Sequence, residues 1–118
     1  MRESQAILVV SFGTSHKETR EKTIEAIEQE IRDRFPAWEV RRAFTSSVIL
    51  RVLKRRDGVH IDNVAEAMEG LRRDGFTHVV IQPTHVLSGQ EYDKMKAQAM
   101  EFHGSFQSIA VGTPLLTE

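Results

Sequence analysis

His85 and Glu91 are the one histidine and carboxylate that share a loop predicted to follow a buried strand. A neutral imidazole and a carboxylate are both ligands for cobalt, iron or nickel, and either group can accept a proton from a substrate. A loop histidine more often hydrogen-bonds to backbone, and a glutamate that opens a helix often serves the helix dipole. The pair is therefore a candidate metal or proton-transfer site, with structural roles as the alternative.

A second candidate is the small polar loop at residues 11–15, SFGTS, between a predicted strand and a helix N-terminus. Backbone N–H groups in such a position can hold an anion. Gly13 is its only glycine, so the loop has neither the phosphate-binding P-loop pattern nor the G-x-G-x-x-G of dinucleotide folds. Turn and capping duty is the plainer alternative.

The other histidines are weaker candidates. His16 begins the first predicted helix and could reach a ligand, whereas His60 lies in a connection and His78 opens a strand at the opposite side of the sheet. His103 lies near a helix end, where a cation is favourable in any case.

Strands alternate with helices along the chain. The β-favouring run at residues 6–10 predicts a strand buried on both faces, and residues 38–44 predict a strand nearer an edge. Further strands are predicted at residues 78–82 and 109–111. The helices between them follow from apolar residues at helical spacing, with Ser46 or Ser47 capping one helix and Asp62 the next.

This alternation predicts an α/β three-layer sandwich with a four-stranded, mainly parallel sheet in the order 2-1-3-4. Ligands of such sheets lie beyond the carboxyl ends of the strands. We therefore expect the site in residues 11–15, 44–47, 83–91 and 112–115.

Composition bounds the class of protein. The 118 residues suit one domain, and the 40% hydrophobic and 28% charged residues are typical of a soluble globular chain. A net charge of -1 gives no reason to expect a nucleic-acid partner. The absence of cysteine excludes disulfides and thiolate metal sites, and no apolar run approaches the length of a membrane span, so we expect a cytoplasmic protein without a membrane partner.

Three segments in register carry a family resemblance: "ILVVSFGTS", "RAFTSSVILRVLKRRDG" and "VVIQPTHVLSGQEYDKM", followed by "VGTPLL". Together they resemble the N-terminal half of the anaerobic sirohydrochlorin cobaltochelatases, which are class II tetrapyrrole chelatases. Residues 1–118 are accordingly expected to form a single α/β domain that resembles the N-terminal domain of a two-domain chelatase.

The resemblance implies ATP-independent insertion of Co²⁺, or Fe²⁺ in some members, into sirohydrochlorin during cobalamin or sirohaem biosynthesis. The divalent ion is then a substrate, and no tightly bound cofactor is expected. The implied partners are sirohydrochlorin, the metal ion, and either a C-terminal domain or a second copy of the chain that completes the cleft. The resemblance does not decide whether this chain is active alone.

Carried over residue by residue, the resemblance assigns Glu91 as the catalytic residue and metal contact, with His85 beside it. Ser11, Phe12, Gly13 and Thr14 line one wall of the tetrapyrrole pocket, and His85 and Gly89 also contact substrate. The family's principal histidines are expected beyond Glu118. Single-domain chelatases have a histidine where this chain has Phe12, so this chain is expected to be incomplete alone.

One alternative belongs to another class of function. A flavodoxin-like module that binds a small anion or nucleotide without catalysis would also explain the polar loop at residues 11–15.

Overall fold

The structure, a computed structural model, describes residues 4–11, 22, 24–83 and 89–112, except for the side chains of residues 89–91. The elements in these ranges are β1 (Gln5–Ser11), α1 (Glu25–Arg34), β2 (Glu39–Phe44), α2 (Ser47–Val52) with a π-helical turn after it (Leu53–Asp57), α3 (Val64–Arg73), β3 (His78–Pro83), α4 (Gly89–Met100) and β4 (Ser108–Val111). None of the helices in this part of the chain is long and apolar enough to cross a membrane.

The four strands form one sheet in the order β2-β1-β3-β4, and all three pairings are parallel. The register places Ile7 of β1 between Val40 of β2 and Val80 of β3. The predicted strand order and the edge position of β2 are therefore confirmed.

Alternate residues of β1 support two cores on opposite faces of the sheet, as the two-residue period of a strand requires. Leu8 and its neighbours on one face pack with α3 and α4, where the largest buried side chains are Met68, Leu71 and Met95. Ile7 and Val9 face the other way and pack with Ile31 of α1. This arrangement explains why residues 6–10 are continuously apolar, and it confirms the three-layer α/β sandwich.

The helix boundaries follow local capping chemistry. Ser46 caps α2, since its hydroxyl accepts a hydrogen bond from the Ile49 N–H at 3.3 Å. The predicted cap at Asp62 is wrong, because Asn63 caps α3. The Asn63 side chain accepts from the Glu66 N–H at 2.8 Å, and the Glu66 carboxylate accepts from the Asn63 N–H at 3.0 Å. Glu66 lies three residues after Asn63, and this spacing selects Asn63 as the cap.

Candidate functional site

The carboxyl ends of three strands meet at one edge of the sheet. In register, Ser11 lies opposite Phe44, and Val10 lies opposite Pro83. The Thr45 N–H donates a hydrogen bond to the Ser11 carbonyl at 2.9 Å and so extends the pairing of β1 and β2 by one residue. Three of the four segments expected to hold the site therefore begin side by side.

Two hydroxyl groups at this edge are buried without a hydrogen-bond partner among the described residues: Ser11 Oγ and Thr45 Oγ1. Ser11 is only 1% exposed. A buried hydroxyl that makes no hydrogen bond costs free energy, so such groups commonly face a ligand, a water molecule or a neighbouring loop. These two hydroxyls are therefore polar groups at the border of an otherwise apolar core, where a ligand could bind.

A cavity of about 100 Å³ opens beside Thr45, between the start of α2, the start of α3 and the middle of α4. Its polar lining residues are Thr45, Ser47, Asn63, Lys94 and Gln98. This volume is far too small for a tetrapyrrole, but it suits one carboxylate group. Hydroxyl, amide and ammonium groups are the donors that such a carboxylate requires.

The fourth strand reaches the same edge through a glycine. The Gly112 N–H donates to the Ile81 carbonyl at 2.8 Å, which extends the pairing of β3 and β4. A Cβ at Gly112 would lie 2.8 Å from Gln82 Oε1, so any larger residue would displace the Gln82 side chain. Glycine therefore lets the start of the fourth segment lie close against β3.

Some of the predicted site residues lie within the described ranges and others do not. Ser11 is buried at the end of β1, and the backbones of Gly89 and Glu91 lie in the first turn of α4. Phe12, Gly13, Thr14 and His85 lie outside the described residues, as does the Glu91 side chain. The pairing of His85 with Glu91 stays a prediction.

The described histidines have distinct environments. His78 opens β3 at the amino edge of the sheet, with its Nδ1 2.9 Å from Thr77 Oγ1. His103 Nδ1 lies 3.0 Å from the Met100 carbonyl at the end of α4, as a structural role predicts. His60 instead lies 3.0 Å from an Asp62 carboxylate oxygen at the carboxyl edge.

An ion pair between the partly exposed Arg42 and the buried Glu28, which the sequence did not predict, supports β2 from the α1 side. Both terminal oxygens of Glu28, whose side chain is 2% exposed, accept hydrogen bonds from Arg42 at 2.7 Å. The hydrogen bond to Glu28 raises the pKa of Arg42 above its ordinary value, and burial opposes this rise only partly. The two-pronged contact joins α1 to β2 and makes Arg42 a positioning residue for the sheet.

The chain matches the family model described as cobalt chelatase (CbiK) over residues 5–118. It is 40% identical over 113 residues to the sirohydrochlorin cobaltochelatase of Salmonella typhimurium, an alignment that covers 96% of this chain and 43% of that protein. It is also 34% identical over 114 residues to the sirohydrochlorin cobaltochelatase CbiKC of Nitratidesulfovibrio vulgaris, which covers 95% of this chain and 40% of that relative.

The chain has a parallel sheet with polar groups at the carboxyl ends of its strands. This arrangement is typical of the α/β proteins that bind ligands at that edge. Within this class the chain belongs to the cobalt chelatase (CbiK) family, because the family model covers residues 5–118. The chain spans less than half the length of these two relatives. The family resemblance predicted from the sequence is confirmed.

Proposed function

We propose that this chain forms one wall of the cleft in which Co²⁺, or Fe²⁺, is inserted into sirohydrochlorin. The observation that supports this proposal most is the meeting of Ser11, Phe44 and Pro83 at one sheet edge, since each lies in a different segment that carries the family resemblance. The two named relatives, both sirohydrochlorin cobaltochelatases, supply the substrate and the metal of the proposal.

Metal insertion exchanges one divalent ion for two pyrrole N–H protons, so the site must bind the macrocycle, present the ion and accept the protons. We assign metal contact and proton acceptance to Glu91, with His85 as a second ligand or base. Residues 11–14 and Gly89 line the macrocycle-binding surface in this proposal. The cleft holds the macrocycle and the ion next to each other, and this proximity removes much of the entropic cost of bringing them together.

The cavity beside Thr45 is proposed to bind one peripheral carboxylate of the tetrapyrrole. Lys94 is exposed at its rim and supplies a positive charge, and Gln98 and Ser47 supply neutral donors. Such a contact orients the macrocycle and distinguishes carboxylated tetrapyrroles from neutral ones.

The other wall of the cleft is proposed to come from a second α/β domain or from a second copy of this chain. The relatives are more than twice as long as the region that aligns, which favours a second domain. A two-fold dimer is the alternative, because an isologous interface would bring two copies of the same sheet edge together. If the other wall is a second domain, the chain alone is expected to bind the macrocycle and to insert cobalt poorly. If it is a second copy, insertion should instead rise with dimerisation.

The proposal is tested by mixing the 118-residue chain with sirohydrochlorin and Co²⁺ under anaerobic conditions and recording the visible spectrum. We expect saturable macrocycle binding and slow insertion of cobalt. Glu91→Gln should reduce the rate of insertion further. Glu101→Gln, directly after the end of α4, is the control and should leave that rate unchanged. Sedimentation with and without sirohydrochlorin distinguishes a dimer from a monomer. Binding of flavin mononucleotide in place of sirohydrochlorin would instead support the non-catalytic flavodoxin-like alternative.

A further inference from the structure

Three potential metal ligands converge at the loop before α3: His60, Asp62 and Glu66. One donor atom from each lies within 4.8 Å of the other two. His60 Nε2 is 3.0 Å from Asp62 Oδ1 and 4.0 Å from Glu66 Oε2. None of the three belongs to the segments assigned to the tetrapyrrole site.

These distances are close to those of a bound ion. A first-row metal ion about 2.1 Å from each donor holds neighbouring donors about 3 to 3.5 Å apart in octahedral or tetrahedral geometry. The spacing between His60 and Asp62 already lies in that range. Glu66 Oε2 lies 4.0 Å from His60 Nε2, and the three donors lie within 4.8 Å of one another, so Glu66 must approach by about 1 Å. A side-chain rotation of this exposed residue provides that movement.

The backbone that carries the ligands is fixed at several points. The Asp62 carbonyl accepts a hydrogen bond from the Phe44 N–H at 3.0 Å, and the Val59 N–H donates to the Leu53 carbonyl at 3.1 Å. Ile61 packs against the buried cluster around Phe44 and Leu53. The loop is therefore preorganised, which lowers the entropic cost of collecting the three ligands around an ion.

Ion pairing leaves both carboxylates of the cluster available to a cation, although Arg32, Arg41 and Arg42 line the depression beside His60 and Asp62. Glu66 uses Oε1 in the capping box and leaves Oε2 for another partner. Across the part of the chain that the structure describes, no lysine or arginine lies within ion-pair distance of Asp62 or Glu66, and His60 is their sole ion-pair partner. The nearby Arg41 and Arg42 are engaged with Asp74 and Glu28.

We propose that His60, Asp62 and Glu66 bind a divalent first-row transition-metal ion such as Co²⁺. One imidazole with two carboxylates is a mixed nitrogen and oxygen set that suits cobalt, iron or nickel. The Asp62 carbonyl contact with Phe44 places this site at the same sheet edge as the proposed cleft. Its role, which rests on the proposed function, is to hold the substrate ion beside the cleft before transfer.

The test uses CoCl₂ alone with the 118-residue chain, by calorimetric titration and by paramagnetic broadening of amide signals. We expect broadening centred on residues 60–66. His60→Ala, Asp62→Asn and Glu66→Gln should each weaken Co²⁺ binding about tenfold or more, by analogy with losses at other metal sites. Glu66→Gln retains the capping box, since glutamine also serves at that position, so its loss of binding cannot be ascribed to unfolding of α3.

His103→Ala is the matched control, because His103 is also exposed and engaged with a nearby oxygen. It should leave Co²⁺ binding unchanged. Unchanged Co²⁺ affinity in Glu66→Gln and Asp62→Asn, or broadening centred away from residues 60–66, would overturn the site. Sirohydrochlorin binding is measured separately without metal, so failure of this site and failure of the proposed cleft give different results.

Discussion

The Thr45 N–H donates a 2.9 Å hydrogen bond to the Ser11 carbonyl, one step beyond the last paired residues of β1 and β2. This contact holds the starts of two site segments together. The hydroxyls of the same two residues are buried and find no partner within the described ranges. The backbone groups in this contact are therefore paired, whereas the two side-chain hydroxyls are left for a ligand or for the adjoining loop.

Ser11→Ala tests whether that hydroxyl serves binding. Removing an unpaired buried hydroxyl should change the free energy of unfolding by less than about 0.5 kcal/mol, while sirohydrochlorin affinity falls. Ser108→Ala is the control, because this exposed serine lies at the opposite edge of the sheet, and it should leave both stability and affinity unchanged. Equal affinity in Ser11→Ala and the unaltered chain would contradict the assignment.

Arg42→Ala should destabilise the fold by about 2 kcal/mol, because it leaves the buried Glu28 carboxylate without its charged partner. Urea denaturation measures the change. Arg34→Ala removes an arginine whose partner Glu30 is 64% exposed, and it should cost less than about 0.5 kcal/mol. Similar costs for the two variants would show that the Glu28 contact contributes little.

Lys94→Met should weaken sirohydrochlorin binding about fivefold, the effect expected when a partly exposed charge pair of roughly 1 kcal/mol is lost. The methionine preserves much of the apolar stem. Lys96→Met, on the same helix but outside the cavity lining, is the control and should bind normally. If both variants bind alike, the cavity beside Thr45 does not hold a substrate carboxylate.

Gly75→Ala should lower stability by about 1 kcal/mol, since Gly75 has φ +87° and an L side chain is strained there. No atom lies within 4 Å of the added Cβ, so backbone strain alone sets the cost. Gly104 also has open space, but its φ is not positive, and Gly104→Ala should be nearly neutral. Thermal unfolding followed by circular dichroism compares the two, and equal midpoints would refute the strain argument.

Much of the fold could be predicted because its signals are local. Residues 6–10 are apolar at every position, and this identifies a central strand of a parallel sheet. Gly58, with φ +66°, ends its helical segment in the left-handed conformation that favours glycine. The cap at Asp62 was predicted wrongly because Asp62 and Asn63 are both good caps, and only the reciprocal bond with Glu66 distinguishes them.

The site was less predictable because it depends on contacts between distant segments. Arg42 lies in the strand predicted nearer an edge of the sheet, and nothing local indicated that Glu28 would be buried against it. His60 was placed in a connection, and its approach to Glu66 requires both the Phe44 contact of the loop and the first turn of α3. A signal was present in the spacing of His60, Asp62 and Glu66, but spacing alone does not orient three side chains.

The most direct test of the central claim is the change in backbone amide signals of the 118-residue chain on titration with metal-free sirohydrochlorin. Binding at the carboxyl edge predicts the largest changes at residues 11–14, 44–47, 85–91 and 94–98. Little change is predicted at residues 77–78 and 106–108, on the opposite edge. Changes confined to the opposite edge, or none at saturating macrocycle, would contradict the account.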